Sequence, residues 1–293
     1  MSGLSKKNIT TLVNAIEKVY PKAYADSTWD NTGLLINSSL ATAKTLAPKI
    51  NTKCLLTIDL TSEVCDEAIR KKVDLVISYH PFIFPKWNSI NSTTQHESAI
   101  KLIQSGISVY SPHTAVDAVK NGMNDYLVSL VFENPQNVKS IIKSNASEDV
   151  VEGMGRFSLG NDAQNMKTVV ENIKKGLNIK FLQIAIPDES RSLNLEDIKV
   201  SSVAVCAGSG GSVFGKLKEN CDLIVTGEMD HHTVLRYKEM GKVVVVVNHS
   251  NSERAYLRNV MKPLLEKTFA ASDEIENIDV LVSEMDHDPL QTV

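Results

Sequence analysis

Short apolar runs alternate with stretches of helical spacing along most of the chain. The runs are rich in β-branched residues, and the stretches between them place apolar residues on one helical face. In the first half this pattern predicts strand Cys54–Ile58, helix Glu63–Lys71, strand Val73–Ser78, helix Gln95–Gln104 and strand Gly106–Tyr110. Apolar strands that alternate with helices are typical of buried, largely parallel strands in βαβ units. The predicted fold class is therefore α/β.

The second half repeats this order, which predicts a duplicated βαβ core. Its elements are strand Val203–Cys206, helix Val213–Glu219, strand Cys221–Thr226, helix His232–Met240 and strand Val243–Val247. The first copy differs from the second by a longer loop after His80, and this loop carries several aromatic residues.

The remaining patterns predict the domain organisation. An amphipathic helix that ends before Pro21 opens the chain, and a closing strand lies at Ile278–Val282. Between the two repeats, a helix at Met166–Leu177 and a strand near Phe181–Ile186 form a small βαβ-like piece. We expect a first lobe over residues 1–130, a connecting segment over 131–198 and a second lobe over 199–293.

The charge pattern argues against direct nucleic-acid binding, and the hydropathy pattern argues against a membrane-spanning segment. The 31 Lys and Arg residues nearly balance 35 Asp and Glu residues for a net charge of −4, and no basic block occurs, so we expect no direct nucleic-acid contact. The longest aliphatic run, Val243–Val247, is far shorter than the roughly 18 to 20 residues that cross a bilayer. Neither a signal-like N-terminus nor a C-x-x-C motif is present. We expect a cytoplasmic protein, with any nuclear role carried by protein contacts.

Histidines and carboxylates collect directly after the predicted strands. In open parallel sheets, ligands bind beyond the carboxyl ends of the strands. The residues at these positions are His80, His113, Asp117, Glu228, His231, His232, His249 and Glu253. Imidazole and carboxylate are the ligands that zinc, iron(II) and manganese take, which predicts a metal site. The alternative is that these residues cap helices and satisfy polar groups at strand-to-helix turns.

Two further segments allow both a functional and a structural interpretation. The turn Ala207–Ser212 could present backbone N–H groups to a phosphate, but it matches neither the dinucleotide fingerprint nor the Walker A pattern. The alternative is a βα turn built from small residues. The segment Trp29–Asn31 is interpreted either as a pocket wall or as a capped turn into strand Gly33–Ile36.

Six motifs occur in an order that resembles the Nif-three-like family, also catalogued as GTP cyclohydrolase I type 2 homologues. They are WDNTGL at 29–34, SYHP at 78–81, SPHT at 111–114 with Asp117, GSG at 208–210, TGE at 226–228 and HSNSER at 249–254. The resemblance covers essentially the whole chain. It implies two intertwined α/β lobes with a duplicated core, a toroidal homohexamer and a pair of divalent metal ions. One branch of the family is named for binding a transcriptional coadaptor.

The resemblance also implies a role for each motif residue. Zinc, iron or manganese is expected in two sites, with His80 and Asp117 on the first, His249 on the second and Glu253 on both. Many family members have two consecutive histidines where this chain has Tyr79 and His80. A neutral phenol is a poor ligand, so the second site is expected to be weak unless His113 or water completes it.

His113 is the candidate general acid or base, because an imidazole transfers protons near neutral pH. The residues expected to contact substrate are Tyr79, Gly208, Gly210, Glu228 and His231. We therefore expect a metal-dependent, hydrolase-like enzyme that acts on a small nucleotide- or pterin-like substrate. The alternative is a non-catalytic, metal-stabilised scaffold that binds a transcriptional coadaptor. His113 separates the two hypotheses, because an enzyme needs a proton-transfer group and a scaffold does not.

Overall fold

The structure is a computed structural model, and it describes residues 4–39 and 50–292. The strands of these residues are β1 (Gly33–Ile36), β2 (Ile50–Thr57), β3 (Leu75–Ser78), β4 (Ser108–Ser111), β5 (Pro135–Lys139), β6 (Ile142–Lys143), β7 (Gly153–Met154), β8 (Arg156–Asn165), β9 (Gln183–Ala185), β10 (Lys199–Ser209), β11 (Leu223–Glu228), β12 (Val243–Val246) and β13 (Ile275–Val282). The α-helices are α1 (Lys6–Val19), α2 (Ser62–Arg70), α3 (Thr94–Gln104), α4 (Thr114–Ala118), α5 (Met123–Val131), α6 (Met166–Leu177), α7 (Gly211–Phe214), α8 (His231–Glu239), α9 (Asn251–Tyr256) and α10 (Lys262–Ala270).

The chain divides into two compact units, and each unit is built from two separate stretches. The first unit contains the described residues of Met1–Ala115 and Leu257–His287, and the second contains those of Val116–Tyr256 and Asp288–Val293. Residues 131–198, predicted to connect two lobes, fall within the second unit. None of the described helices is long and apolar enough to span a membrane.

The first unit holds a five-stranded sheet in the order β1-β4-β3-β2-β13. Strands β13, β2, β3 and β4 run parallel, and β1 lies antiparallel to β4 at the edge. Leu55, Val76 and Val109 are fully buried on this sheet, where they cluster with Val64 of α2 and Leu102 of α3. Strands β3 and β4 are buried along their whole length, as is typical of the central strands of a parallel sheet.

The second unit holds a six-stranded sheet in the order β5-β8-β10-β11-β12-β9. Strands β10, β11 and β12 are parallel, and β8 and β9 flank them in antiparallel pairings. Strand β9, which lies in the segment predicted to connect the two lobes, pairs with β12 at the edge of this sheet. Each unit contains a parallel β-α-β-α-β core, so the predicted α/β class is confirmed.

Arg156, the first residue of β8, is fully buried in the second unit. Its guanidinium lies 2.9 Å from an Asp125 carboxylate oxygen. The remaining N–H groups donate to backbone carbonyls at 2.7 to 3.2 Å, on Gly153, Gly155, Ala118 and Val119. Because a buried charge is tolerated only when it is paired and hydrogen-bonded, these contacts hold α4, α5 and β8 in one arrangement.

Candidate functional site

In the first unit, His80 follows β3 and pairs with a carboxylate that follows β2. The Nδ1 atom of His80 lies 2.9 Å from Oδ1 of Asp59. A carboxylate only accepts hydrogen bonds, so Nδ1 carries the proton in this pair. This pairing presents His80 Nε2 as a nitrogen ligand, in the manner of a metal-binding histidine oriented by a carboxylate.

His113 forms a second pair of this kind after β4. Its Nδ1 atom lies 2.7 Å from Oδ1 of Asp30, and the Asp30 carboxylate also accepts from the hydroxyls of Thr32 at 2.8 Å and Thr114 at 2.5 Å. Burial opposes ionisation of Asp30, but these hydrogen bonds and the charge of His113 outweigh it and lower the carboxyl pKa to about 2. Asp30 is thus a carboxylate at neutral pH that orients His113 and leaves Nε2 for proton transfer.

Backbone geometry also sets the position of His113. Its φ of +33° lies in the left-handed region, which side chains other than glycine rarely adopt. The His113 N–H donates to the Tyr79 carbonyl at 3.2 Å, and the buried Tyr79 ring lies 5.4 Å from the His113 ring. The His80 ring is 5.5 Å from that of His113. The structure therefore brings Tyr79, His80 and His113 together at the carboxyl ends of β3 and β4.

In the second unit, His249 and Glu253 form the predicted pair. Helix α9 begins at Asn251, and Glu253 Oε1 lies 3.5 Å from His249 Nε2. Nδ1 of His249 lies 3.1 Å from Oε1 of Glu228, whose side chain is exposed. This carboxylate orients the His249 ring in the way that Asp59 orients His80 and Asp30 orients His113. Glu253 itself is only 1% exposed, so its carboxylate is a buried negative group at this position.

Gly208, at the end of β10, leaves room beside this pair. Its φ is +60°, and a Cβ on it would lie 2.8 Å from Glu253 Oε1 and 3.0 Å from His249 Nε2. The Gly208 N–H donates to the Ser252 hydroxyl at 2.8 Å, and that hydroxyl donates to the His249 carbonyl at 2.6 Å. Glycine is therefore required here by both the backbone conformation and the space next to the two side chains.

Gly210 contacts Thr226 and Phe214 of the fold rather than the His249 and Glu253 side chains. Its N–H donates to the Thr226 hydroxyl at 3.2 Å, and a Cβ on it would lie 2.4 Å from the Phe214 ring. The N–H groups of both Gly208 and Gly210 thus have partners within the fold, as expected for a tight βα turn of small residues. The roles of these glycines and Glu228 in substrate binding stay predictions.

Asp117 lies on α4 and is buried. Asn124 donates from its side-chain amide to the Asp117 carbonyl at 3.0 Å and accepts from the Ala207 N–H at 2.9 Å, which ties α4 to β10. Burial raises the pKa of the Cys206 thiol on β10, and the charges of Asp117 and Glu253 raise it further. Both carboxylates therefore lie close to the carboxyl end of β10.

His231 is the first residue of α8 and is exposed. Asp230 caps this helix by accepting from the Thr233 N–H at 3.0 Å. His231 contacts the ring of His232 at 5.3 Å. Its predicted role in substrate binding stays untested.

Four residues that position the site were missed by the sequence interpretation. Asp59, Asn124 and Ser252 were not singled out, and Asp30 was considered only as a pocket wall or cap. Asp59 directly follows a predicted strand, so the strand-end rule could have found it. Asn124 and Ser252 act through backbone contacts that leave no pattern along the chain.

The second unit offers the His249 imidazole and the Glu253 carboxylate to a metal ion, and the first unit offers the His80 imidazole. Imidazole and carboxylate are donors that zinc, iron(II) and manganese accept. The orienting carboxylates, and the absence of a side chain at Gly208 where a Cβ would crowd His249 and Glu253, fit such an ion. The role of Asp117 as a metal ligand stays a prediction.

The duplicated α/β core and these motifs define a known class of protein. The sequence matches the profile of the Duf34/NIF3 family (NGG1p interacting factor 3) over residues 7–289. The chain belongs to this family, and the resemblance noted from the motifs is confirmed.

Relatives cover the chain from end to end. The Saccharomyces cerevisiae protein named NGG1-interacting factor 3 is 46% identical, over 98% of this chain and 98% of that protein. A Clostridium perfringens protein named GTP cyclohydrolase 1 type 2 homolog is 30% identical, over 97% of this chain and 99% of its own. The crystal structure of a Staphylococcus aureus hypothetical protein superposes with a TM-score of 0.78 at 24% identity, covering 97% of this chain and 99% of that one, and shows the same fold.

Proposed function

We propose that this protein is a divalent-metal-dependent, hydrolase-like enzyme with up to two metal ions per subunit. His80 and Asp117 would hold one ion, His249 the other, and Glu253 both. The observation that carries the proposal is the buried Glu253 carboxylate 3.5 Å from His249 Nε2, beside a glycine that keeps the adjoining space free of any side chain. A bound divalent ion supplies an acidic water and a Lewis acid for a carbonyl or phosphoryl oxygen.

The proton-transfer group in this proposal is His113. Asp30 holds its Nδ1–H and orients the ring, so Nε2 can take a proton from water and return it to a leaving group. We assign the substrate to a small nucleotide- or pterin-like molecule. The relative from Clostridium perfringens, whose name refers to GTP cyclohydrolase, supports this assignment.

A second candidate function is a metal-stabilised scaffold that binds a transcriptional coadaptor. The name of the yeast relative, at 46% identity, favours this alternative. We also propose a homohexamer that resides in the cytoplasm and enters the nucleus with such a partner. Both candidate functions use the same metal ligands.

Loss of either side chain of the second-unit pair is expected to remove metal. His249→Ala and Glu253→Gln should each weaken manganese or zinc binding by more than about tenfold, since each deletes a ligand. Elemental analysis of protein purified without chelator, followed by calorimetric titration of the metal-free protein, measures both metal content and metal affinity.

The same titration tests the two-site assignment. Glu253→Gln should weaken metal binding at both sites, and Tyr79→His should strengthen metal binding at the weaker site.

The matched control for these variants is His96→Ala, which removes a histidine on α3 that is in none of the metal motifs. It should bind metal as the wild-type protein does. Unchanged metal content in His249→Ala and Glu253→Gln would refute the ligand assignment.

His113→Asn is expected to separate the enzyme from the scaffold. Asparagine can still hydrogen-bond to Asp30 but cannot transfer a proton, so turnover should fall about a hundredfold or more while metal content stays constant. The measurement is a turnover screen of metal-loaded protein with nucleotides and pterins. A scaffold would show no turnover in the wild-type protein, and its capture of a coadaptor would be the same with and without His113.

A further inference from the structure

Two large aromatic side chains are exposed beside His113 in the first unit. Trp29 is 51% exposed and Phe84 is 49% exposed. The ring centroids of Trp29 and Phe84 are 6.2 Å apart with an interplanar angle of 76°, and the Trp29 ring contacts the His113 ring at 5.6 Å and 86°. The two exposed rings thus form a nearly perpendicular corner next to the proton-transfer group.

The loops that carry these rings are anchored, so the exposure does not come from an unsupported segment. Asn31 donates from its side-chain amide to the Ile83 carbonyl at 2.7 Å, which ties the two loops together. Gln95 of α3 donates to the Phe82 carbonyl at 2.6 Å, and the buried Phe82 ring packs against the core. Each exposed ring is therefore held by a neighbour that is fixed to the fold.

The arrangement suits a planar ligand. A flat ring that lies on the face of one aromatic side chain has its edge against the other when the two stand near a right angle, as offset-stacked and edge-to-face contacts both allow. Aromatic platforms of this kind bind nucleobases without regard to their hydrogen-bonding pattern, because every base has a π face. The contact between Trp29 and His113 places such a ligand beside the His113 imidazole.

We propose that Trp29 and Phe84 form a stacking subsite for the planar, nitrogen-containing ring of the substrate, either a nucleobase or a pterin. This inference rests on the proposed function, since it names the part of the substrate that the site recognises. The stacked ring fixes one end of the molecule, and the group that reacts lies toward His113. Trp29 and Phe84 are substrate-binding residues in this scheme, because they contact the ring and exchange no proton.

Binding of guanosine 5′-monophosphate and neopterin to the full-length, chelator-treated protein tests the subsite. The chain has two tryptophans, so the Trp87→Phe variant leaves Trp29 as the single fluorescent reporter. We expect at least one of the two probes to quench this fluorescence and ribose 5-phosphate, which lacks a planar ring, to leave it unchanged. The probe that binds more tightly identifies the ring class.

Phe84→Leu and Trp29→Leu should each raise the calorimetric Kd of that probe about tenfold, because leucine keeps apolar area but cannot stack. Phe181→Leu is the control, since Phe181 is 60% exposed in the second unit. Circular dichroism and thermal unfolding show that each variant is folded. Wild-type Kd values in both loop variants, quenching by ribose 5-phosphate, or binding of neither probe would overturn the subsite.

Because the binding test uses metal-free protein, its result does not depend on the proposed metal-dependent activity. If the protein purified without chelator holds no metal but still binds the planar probe, the proposed hydrolase function is refuted and the subsite stands. Metal-dependent turnover that is unaffected by Phe84→Leu and Trp29→Leu would refute the subsite alone.

Discussion

Gly208→Ala is expected to weaken metal binding at His249 and Glu253 sharply. The new Cβ would lie 2.8 Å from Glu253 Oε1, which is closer than Cβ atoms approach other atoms, and 3.0 Å from His249 Nε2, which is a tight contact. One of the two ligands must move, so the metal affinity should fall more than about tenfold. The φ of +60° adds backbone strain of about 1–3 kcal/mol, which lowers the free energy of unfolding. Calorimetric metal titration and urea denaturation measure the two effects.

The chain offers a close control in Gly211, three positions further on. A Cβ at Gly211 would meet no atom within 4 Å, and its backbone does not need glycine. Gly211→Ala should therefore leave both metal affinity and stability nearly unchanged. Full metal stoichiometry in a folded Gly208→Ala protein would contradict our assignment of the space beside Glu253.

Arg156→Met is expected to destabilise the protein by about 3–5 kcal/mol, because it leaves the Asp125 carboxylate and four backbone carbonyls without their buried donor. Methionine fills much of the volume but donates no hydrogen bond. Urea denaturation followed by circular dichroism gives the free energy of unfolding. Metal titration of the folded fraction should also show weaker binding, since Arg156 holds the end of α4 that follows Asp117.

Lys143→Met is the control for loss of a cation in the same unit. Lys143 forms an exposed pair with Glu148 at 3.5 Å, and exposed ion pairs contribute little to stability. An Arg156→Met protein that unfolds at the same urea concentration as Lys143→Met would show that the buried network does not stabilise the fold.

Local signals explain which elements the sequence predicted well. Helix α6 has the predicted limits, because the Asn165 side chain caps its first turn and Asn178 ends it with a φ of +57°. Strand β10 is longer than predicted, since Lys199 and the residues after it pair with β8 before the apolar run begins. Strand β8 itself was not predicted. It carries many polar residues, and only its pairing partner makes it a strand.

The sequence predicted only those residues of the candidate site that directly follow a strand. His80, His113 and His249 follow buried parallel strands, so their clustering could be seen in the order of residues. The orienting partner of His113 is Asp30, which is far away along the chain and belongs to a segment with no strand pattern. Contacts of this kind depend on how the loops fold back, and no periodicity records them.

Strand β13 lies beside β2 at the edge of the first sheet, although most of the chain separates the two strands. During synthesis on the ribosome, β2, β3 and β4 emerge early, whereas β13 emerges only after Val116–Tyr256. Until then β2 has an unpaired edge, and such edges pair readily with other chains. The C-terminal segment Leu257–His287 therefore protects the first sheet from aggregation. Nascent chains that are released before this segment has emerged are the most prone to aggregate.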